Sequence, residues 1–181
     1  LAALVTAARA ATTEPATPDS TNPQPQTTNN ARQVVGYSAT TIGTQHATLW
    51  NGSTTTDLGT LGGTYSGAQG INNSGQVVGW SYTTGNGPSH ATFWNGSTAT
   101  DLGTLGGTTS YAHGISNAGQ VVGWSKTIGD TASHATLWNG GTATDLNTFL
   151  DASSVSAGWV LLAANGINDN GWIVGYANNS N

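Results

Sequence analysis

The chain repeats one pattern of apolar and polar residues, in which short strand-like segments alternate with turn signals. One segment, two branched apolar residues followed by Gly and an aromatic residue, occurs four times. Its copies lie at residues 33–37, 76–80, 120–124 and 172–176. A fixed period in this range is typical of repeat arrays, propellers and pseudo-symmetric β folds, in which each unit buries its apolar face against the next.

Three more strands follow each of the first three copies. The first has the form His-Ala-Thr-x-Trp and ends in Asn-Gly, which is a strong signal for a two-residue hairpin turn. The next strand ends in Asp-Leu, and the last runs through residues 68–71, 112–115 and 164–167. Four antiparallel strands in 43 or 44 residues match a propeller blade or one leaf of a three-fold β fold.

The pattern therefore predicts an all-β fold of three tandem four-stranded antiparallel blade-like repeats, with an extended N-terminal arm and an extra C-terminal strand. The predicted bounds are 1–32 for the arm, 33–75, 76–119 and 120–171 for the repeats, and 172–181 for the surplus strand. Three architectures fit these bounds: a propeller-like arc, a pseudo-three-fold β fold closed by three units, and an open arc completed by neighbouring subunits. Three blades are too few to close a propeller alone.

The predicted arm differs in composition from the repeats. Its first ten residues are mostly apolar and are similar either to the end of a signal peptide, with Ala8 and Ala10 at the cleavage site, or to a short apolar arm. Residues 11–31 are rich in Thr, Pro, Gln and Asn, which is typical of an extended linker. Such an arm becomes ordered mainly when something holds it, often another subunit.

Composition excludes several classes of partner and site. Only 6% of the residues are charged, the net charge is −5 and only three residues are basic, so nucleic acid is a very poor partner. The chain has no cysteine, which excludes disulfides and thiolate metal sites, and no apolar stretch approaches the length of a membrane helix. The neutral, hydroxyl-rich surface favours association with other copies or with neutral polymers, and indicates an extracellular or cell-surface protein.

One His and one Asp recur once in each repeat, at the start of the second strand and at the end of the third. A ring of such residues could bind a metal ion or respond to pH. The alternative, which we favour, is a structural hydrogen-bond network within each repeat, because a repeated residue meets a repeated structural need. The residues of this network are His46, His90, His134, Asp57, Asp101 and Asp145.

Aromatic residues also recur at fixed strand positions. Trp50, Trp94 and Trp138 lie beside Leu or Phe, which favours core packing between repeats. Tyr37, Trp80 and Trp124 follow the repeated Gly and are open to a second interpretation, a platform on which sugar rings stack. These three residues are the predicted glycan platform.

Together these motifs resemble the extracellular repeat known as the HAF repeat. The resemblance covers about residues 33–176 and consists of Gly-Ile-Asn-x-x-Gly-Gln-Val-Val-Gly-aromatic-Ser, His-Ala-x-x-Trp-Asn-Gly and Asp-Leu-Gly-Thr-Leu-Gly-Gly-Thr. Thr48, Thr92 and Thr136 stand where the family name places Phe. The resemblance implies secretion by bacteria and a propeller-like blade, and it implies no enzymatic activity.

No nucleophile, base and acid can be assembled from the spacing of residues, so we predict no catalytic site, no metal site and no cofactor. The extra strand points instead to assembly, because an exposed strand edge accepts a further strand. We expect a non-catalytic structural protein that self-associates as a surface filament or matrix subunit, with a lectin-like module as the alternative. The predicted assembly residues are Trp172, Ile173, Val174, Gly175 and Tyr176, together with Gln33, Val34, Val35, Gly36 and Tyr37.

Overall fold

The computed structural model describes residues 23–40 and 43–179, and confirms the predicted all-β fold. A single short α-helix, α1 (Ala152–Ser156), accompanies the strands in the described residues. The strands are β1 (Gln24–Thr28), β2 (Val34–Ala39), β3 (Gln45–Asn51), β4 (Thr54–Asp57), β5 (Gly62–Ile71), β6 (Val77–Thr83), β7 (Ser89–Asn95), β8 (Thr98–Asp101), β9 (Gly106–Ile115), β10 (Val121–Thr127), β11 (Ser133–Asn139), β12 (Thr142–Asp145), β13 (Trp159–Ile167) and β14 (Ile173–Asn179).

These strands form three four-stranded antiparallel units and one two-stranded unit. Unit 1 contains β1–β4, unit 2 contains β5–β8, unit 3 contains β9–β12, and unit 4 contains β13 and β14. In each complete unit the strands pair in chain order, with the Val-Val-Gly strand second and the His-Ala-Thr strand third. One parallel pair, Gln45 with Tyr65, joins the sheets of units 1 and 2.

Each hydrogen-bonded unit begins one strand earlier than the repeat bounds suggested by the sequence. The strand before each Asn-rich turn pairs with the Val-Val-Gly strand that follows it, as β5 pairs with β6. Residues 24–28, which the sequence analysis placed in the N-terminal arm, form β1 and pair with β2. The Gly-Gly-Thr segment at Gly62 is the start of the ten-residue strand β5.

The C-terminal strand, which looked surplus in the sequence, pairs within its own chain. β14 lies antiparallel to β13, with Ile173 opposite Ile167 and Tyr176 opposite Ala163. β14 therefore corresponds to the second strand of a unit. No third strand pairs with it among the described residues.

The core consists of separate apolar clusters, one at each junction between successive units. Between units 1 and 2, Val35 and Ala47 contact Val77 and Trp94, and all four are at most 1% exposed. Between units 2 and 3, the equivalent residues are Val78, Ala91, Val121 and Trp138. Between units 3 and 4, Val122, Ala135 and Leu146 contact Ala164, and partly buried Ile173 packs against them, but this cluster contains no Trp.

The Gly of the repeated Val-Val-Gly segment is required by close contact between strands. At Gly123 an added Cβ would collide with the carbonyl oxygen of Tyr111 in β9. The pairing of β9 and β10 shifts register between Val122 and Gly123, so a bulge brings the two backbones together there. Gly36, Gly79 and Gly175 make the same close approach in units 1, 2 and 4.

This geometry predicts that Gly123→Ala destabilises the protein by about 1 to 3 kcal/mol, because the new methyl group meets backbone atoms that cannot rotate away. The control is Gly166→Ala, where the added Cβ has only an ordinary contact with Val174. Urea unfolding followed by fluorescence measures both free energies. Equal stability of the two variants would contradict the proposed role of Gly123.

Candidate functional site

The predicted His and Asp residues form one pair in each complete unit. The Nδ1 atom of His46 lies 2.8 Å from an oxygen of Asp57, that of His90 lies 2.7 Å from Asp101, and that of His134 lies 2.6 Å from Asp145. Each His is the second residue of the third strand of its unit, and each Asp is the last residue of the fourth. The hairpin between these strands therefore places the two side chains next to each other.

Each Asp also fixes the turn that follows it. The backbone N–H of Gly59 donates to Asp57, that of Gly103 donates to Asp101, and that of Asn147 donates to Asp145. An ionised carboxylate only accepts hydrogen bonds, so the His Nδ1 atom carries a proton in each pair. The His side chains are 22–23% exposed, so each ring is mostly covered by the protein.

These hydrogen bonds affect the acidity of two of the Asp residues. The hydrogen bond from His46 lowers the pKa of Asp57 below its ordinary value, against the opposing effect of partial burial. At Asp145 partial burial raises the pKa, but hydrogen bonds from His134 and Asn147 outweigh it, so the net pKa is lowered. Both carboxylates are thus charged at neutral pH and act as fixed acceptors.

The three pairs lie in three different units and do not combine into one site. Within residues 23–40 and 43–179, no three His, Asp or Glu side chains come together as metal ligands. The Thr that follows each His-Ala is buried and its hydroxyl donates to the carbonyl of the preceding His, for example from Thr92 to His90. The geometry therefore supports a structural role for each His, Asp and Thr.

The predicted glycan platform is partly assembled by the fold. Trp80 of unit 2 contacts Tyr111 of unit 3 with ring centroids 5.7 Å apart, and Tyr111 stacks on Trp124 at 5.0 Å. Tyr82 and Tyr65 extend this row from Trp80, with centroid distances of 5.7 Å. We call these five residues the aromatic row.

Tyr37 lies outside the aromatic row, in β2 of unit 1. The sequence analysis missed Tyr65, Tyr82 and Tyr111 as members because they are not repeated. Gly67 and Ala163 take the place of Tyr111 in units 2 and 4, opposite Trp80 and Tyr176. A repeat-based search selects shared residues, whereas this row depends on residues that differ between units.

The Asn-rich turns form a ladder that the sequence analysis also missed. The backbone N–H of Asn30 donates to the side chain of Asn73, and that of Asn73 donates to Asn117. Asn117 then donates both its backbone N–H and its amide to Asp169, at 2.8 and 2.7 Å. These bonds lower the pKa of Asp169. The signal in the sequence is an Asn or Asp at the same place in all four copies of the turn.

The predicted assembly residues fall into two different environments. Residues 33–37 lead into β2, which is paired on both edges by β1 and β3. Residues 172–176 lead into β14, which is paired on one edge in the described part of the chain. On β14, Val174 is 66% exposed, whereas Val35, Val78 and Val122 at the same position are fully buried.

Comparison of the chain with protein-family models, curated proteins and solved structures gives no match. None of the helices in the described ranges has the length and apolar character required to cross a membrane.

The lowered pKa values of Asp57 and Asp145 predict a loss of stability in acid. A carboxyl group whose pKa is lower in the folded state stabilises the fold above its unfolded pKa of about 3.9, and this contribution disappears as the pH falls through the folded value. We therefore expect the unfolding temperature to fall below about pH 4. In Asp57→Asn with Asp145→Asn, the fall is expected to be smaller.

Thermal unfolding followed by circular dichroism between pH 2 and 7 would measure this difference, at roughly half-unit intervals across the carboxyl range. The companion variant, His46→Gln with His134→Gln, keeps the carboxylates and removes their His donors. Its unfolding temperature is therefore also expected to fall less in acid than that of the wild type. An equal fall of the unfolding temperature in acid for the wild type and both variants would show that these pairs do not stabilise the fold.

Proposed function

We propose that this chain is a non-catalytic structural repeat protein that acts outside the cell and associates with further copies of itself. In this proposal the units are blades of an open, propeller-like arc. The observation that carries the proposal is the outer face of unit 4, which is an inter-unit face with no unit packed on it in the described residues. We call the side of β13 and β14 that faces away from unit 3 the far face.

The far face has the apolar character of a buried junction. Val174 occupies the position of Val78 and Val122, which are fully buried by the next unit. Trp172, which is 75% exposed, adds an aromatic side chain directly before β14. Exposed apolar patches of this kind are typical of protein–protein contacts.

The turn ladder gives this contact a direction. Among the described residues, the backbone N–H of Asp169 has no acceptor, although the equivalent atoms of Asn30, Asn73 and Asn117 each donate to the next unit. In unit 1, the side-chain oxygen of Asn30 is the equivalent acceptor, and no donor from the described residues reaches it. Unit 4 of one copy and unit 1 of another therefore offer complementary groups, which supports head-to-tail association.

Composition supports the remaining parts of the proposal. A chain with 6% charged residues lacks the charge repulsion that normally keeps soluble proteins apart. The three identical His–Asp pairs support the absence of catalysis, because catalytic sites bring different residue types to one place. The resemblance to the HAF repeat supports an extracellular location.

The test compares the intact chain with the double variant Val174→Lys, Trp172→Gln. The second substitution introduces Gln, which is the residue that units 1 to 3 have at the position of Trp172. The intact chain is expected to form oligomers that grow with concentration, because association covers the far face. The double variant is expected to be monomeric. Size-exclusion chromatography with light scattering measures the masses, and negative-stain electron microscopy shows the assemblies.

Ile128→Lys is the matched control, because Ile128 is 78% exposed and lies in the turn after β10, away from the far face. This variant is expected to assemble like the intact chain. An intact chain that is strictly monomeric at every concentration would refute the proposed self-association.

The aromatic row supports a second candidate function, carbohydrate binding. Five adjacent rings that cross from unit 2 to unit 3 provide apolar faces on which sugar rings can stack. Tyr65 is 37% exposed and is the most accessible ring of the row, because the other four rings are partly buried.

A glycan array followed by titration of tryptophan fluorescence tests this second function. Tyr65→Thr, which introduces the residue at the same place in unit 3, is expected to weaken binding by roughly tenfold through loss of ring contact. Tyr65→Phe keeps the ring and is expected to bind like the wild type. An array without any sugar-dependent signal would exclude a lectin role for the row.

A further inference from the structure

A cleft of about 430 Å³ lies between unit 3 and unit 4. One wall consists of Ala135, Leu137, Leu146 and Phe149, which follow one another along unit 3 and the segment after it. The opposite wall includes Ile173 on β14. The cleft faces unit 3, so it lies on the other side of β14 from the far face.

The same wall exists at the two other junctions, where it is covered. Ala47, Leu49 and Leu58 of unit 1 pack in one cluster with Trp94 of unit 2. Ala91, Phe93 and Leu102 of unit 2 pack with Trp138 of unit 3. The wall of Ala135, Leu137 and Leu146 is thus the third copy of a surface that receives a Trp side chain from the following unit.

The Trp at each junction is delivered by the third strand of that following unit. Trp94 ends the His-Ala-Thr-Phe-Trp segment of β7 and pairs with Val77 of β6. Trp138 ends the equivalent segment of β11 and pairs with Val121 of β10. In unit 4 the residue equivalent to Val77 and Val121 is Ile173, and the edge of β14 that would bind such a strand has no partner in the described residues.

We propose that the open edge of β14 and the adjacent cleft form a binding site for a polypeptide segment of the type His-Ala-Thr-x-Trp-Asn-Gly. The segment pairs antiparallel with β14 and inserts its Trp into the cleft. The cleft lies on the opposite side of β14 from the far face, so insertion of the Trp does not depend on the proposed self-association.

The register of the bound segment follows from units 2 and 3. Its Trp lies opposite Ile173, its Thr lies opposite Gly175, and its Ala lies opposite Tyr176. Side chains alternate between the two faces of a strand, so the Trp is on the cleft side and the residue before it is on the far face. Backbone hydrogen bonds supply general strand affinity, and the Trp supplies specificity.

The partner must present this segment unpaired. β3, β7 and β11 each lie inside a four-stranded sheet, with neighbours on both edges, so folded units of this chain do not offer a free copy. The indole N–H groups of Trp50, Trp94 and Trp138 are buried without a hydrogen-bond partner in the described residues. Recognition of the Trp therefore depends on apolar contact and shape, and a smaller apolar residue would bind more weakly.

The experiment uses the intact chain and a fluorescein-labelled synthetic peptide that copies residues 89–101, the β7–β8 hairpin. Fluorescence anisotropy is expected to show saturable binding with one peptide per chain. The same peptide with Trp94→Ala is expected to bind about tenfold or more weakly, since burial of a large apolar side chain is lost. Because this comparison changes only the peptide, it does not depend on the folding of a protein variant.

Two variants of the chain locate the site. Leu137→Trp, whose larger side chain fills the cleft from unit 3, is expected to reduce peptide binding at least as strongly as the peptide substitution. Ile128→Lys, in the turn after β10, is the control and is expected to leave peptide binding unchanged.

The outcomes separate the two proposals. No saturable binding, or equal binding of the Trp and Ala peptides, would overturn the strand-binding site even if the intact chain forms oligomers. Saturable, Trp-dependent binding by a chain that stays monomeric would support the site and refute the proposed self-association.

Discussion

The structure depends on the apolar contact between successive units. Each repeat carries two consecutive branched residues, and because side chains alternate along a strand, the pair serves two different junctions. In β6, Val77 faces unit 1 and Val78 faces unit 3, and both are buried. A single unit cannot bury both faces of its own sheet, so its stability comes from its neighbours.

Polar side chains at the junctions also link successive units, through hydrogen bonds to backbone groups. The hydroxyl of Ser66, at the start of the core part of β5, accepts from the backbone of Ala47 and donates to the carbonyl of Gly59, both in or next to unit 1. Ser110 makes the equivalent bonds between units 2 and 3. At the last junction Asn147 replaces this arrangement, because its amide exchanges two hydrogen bonds with the backbone of Leu161. The apolar contact is thus constant, while the polar groups beside it change.

The sequence predicted the strands and turns because they carry strong local signals. The two consecutive Val residues of Val-Val-Gly point to opposite faces of a strand, as expected for a strand buried on both faces. Asn-Gly marks the hairpin turns, as Asn95 and Gly96 show between β7 and β8. The grouping of strands into units could not be predicted in this way, since pairing of β5 with β6 or with β4 leaves the same residue pattern. β1 was missed because its residues, Gln24–Thr28, are polar or Pro, and its pairing is mainly through the backbone.

The two ends of the repeat array are not equivalent, and this asymmetry limits any head-to-tail contact. Thr28 of unit 1 stands where units 2 and 3 have Ile71 and Ile115, so the outer face of unit 1 is more polar than the inner junctions. Each large apolar side chain that a contact lacks removes about 1.5 to 3 kcal/mol of burial, or roughly ten- to a hundredfold in affinity. A contact between the far face and unit 1 would therefore be weaker than the junctions within the chain, and copies associated in this way would separate before their own units do.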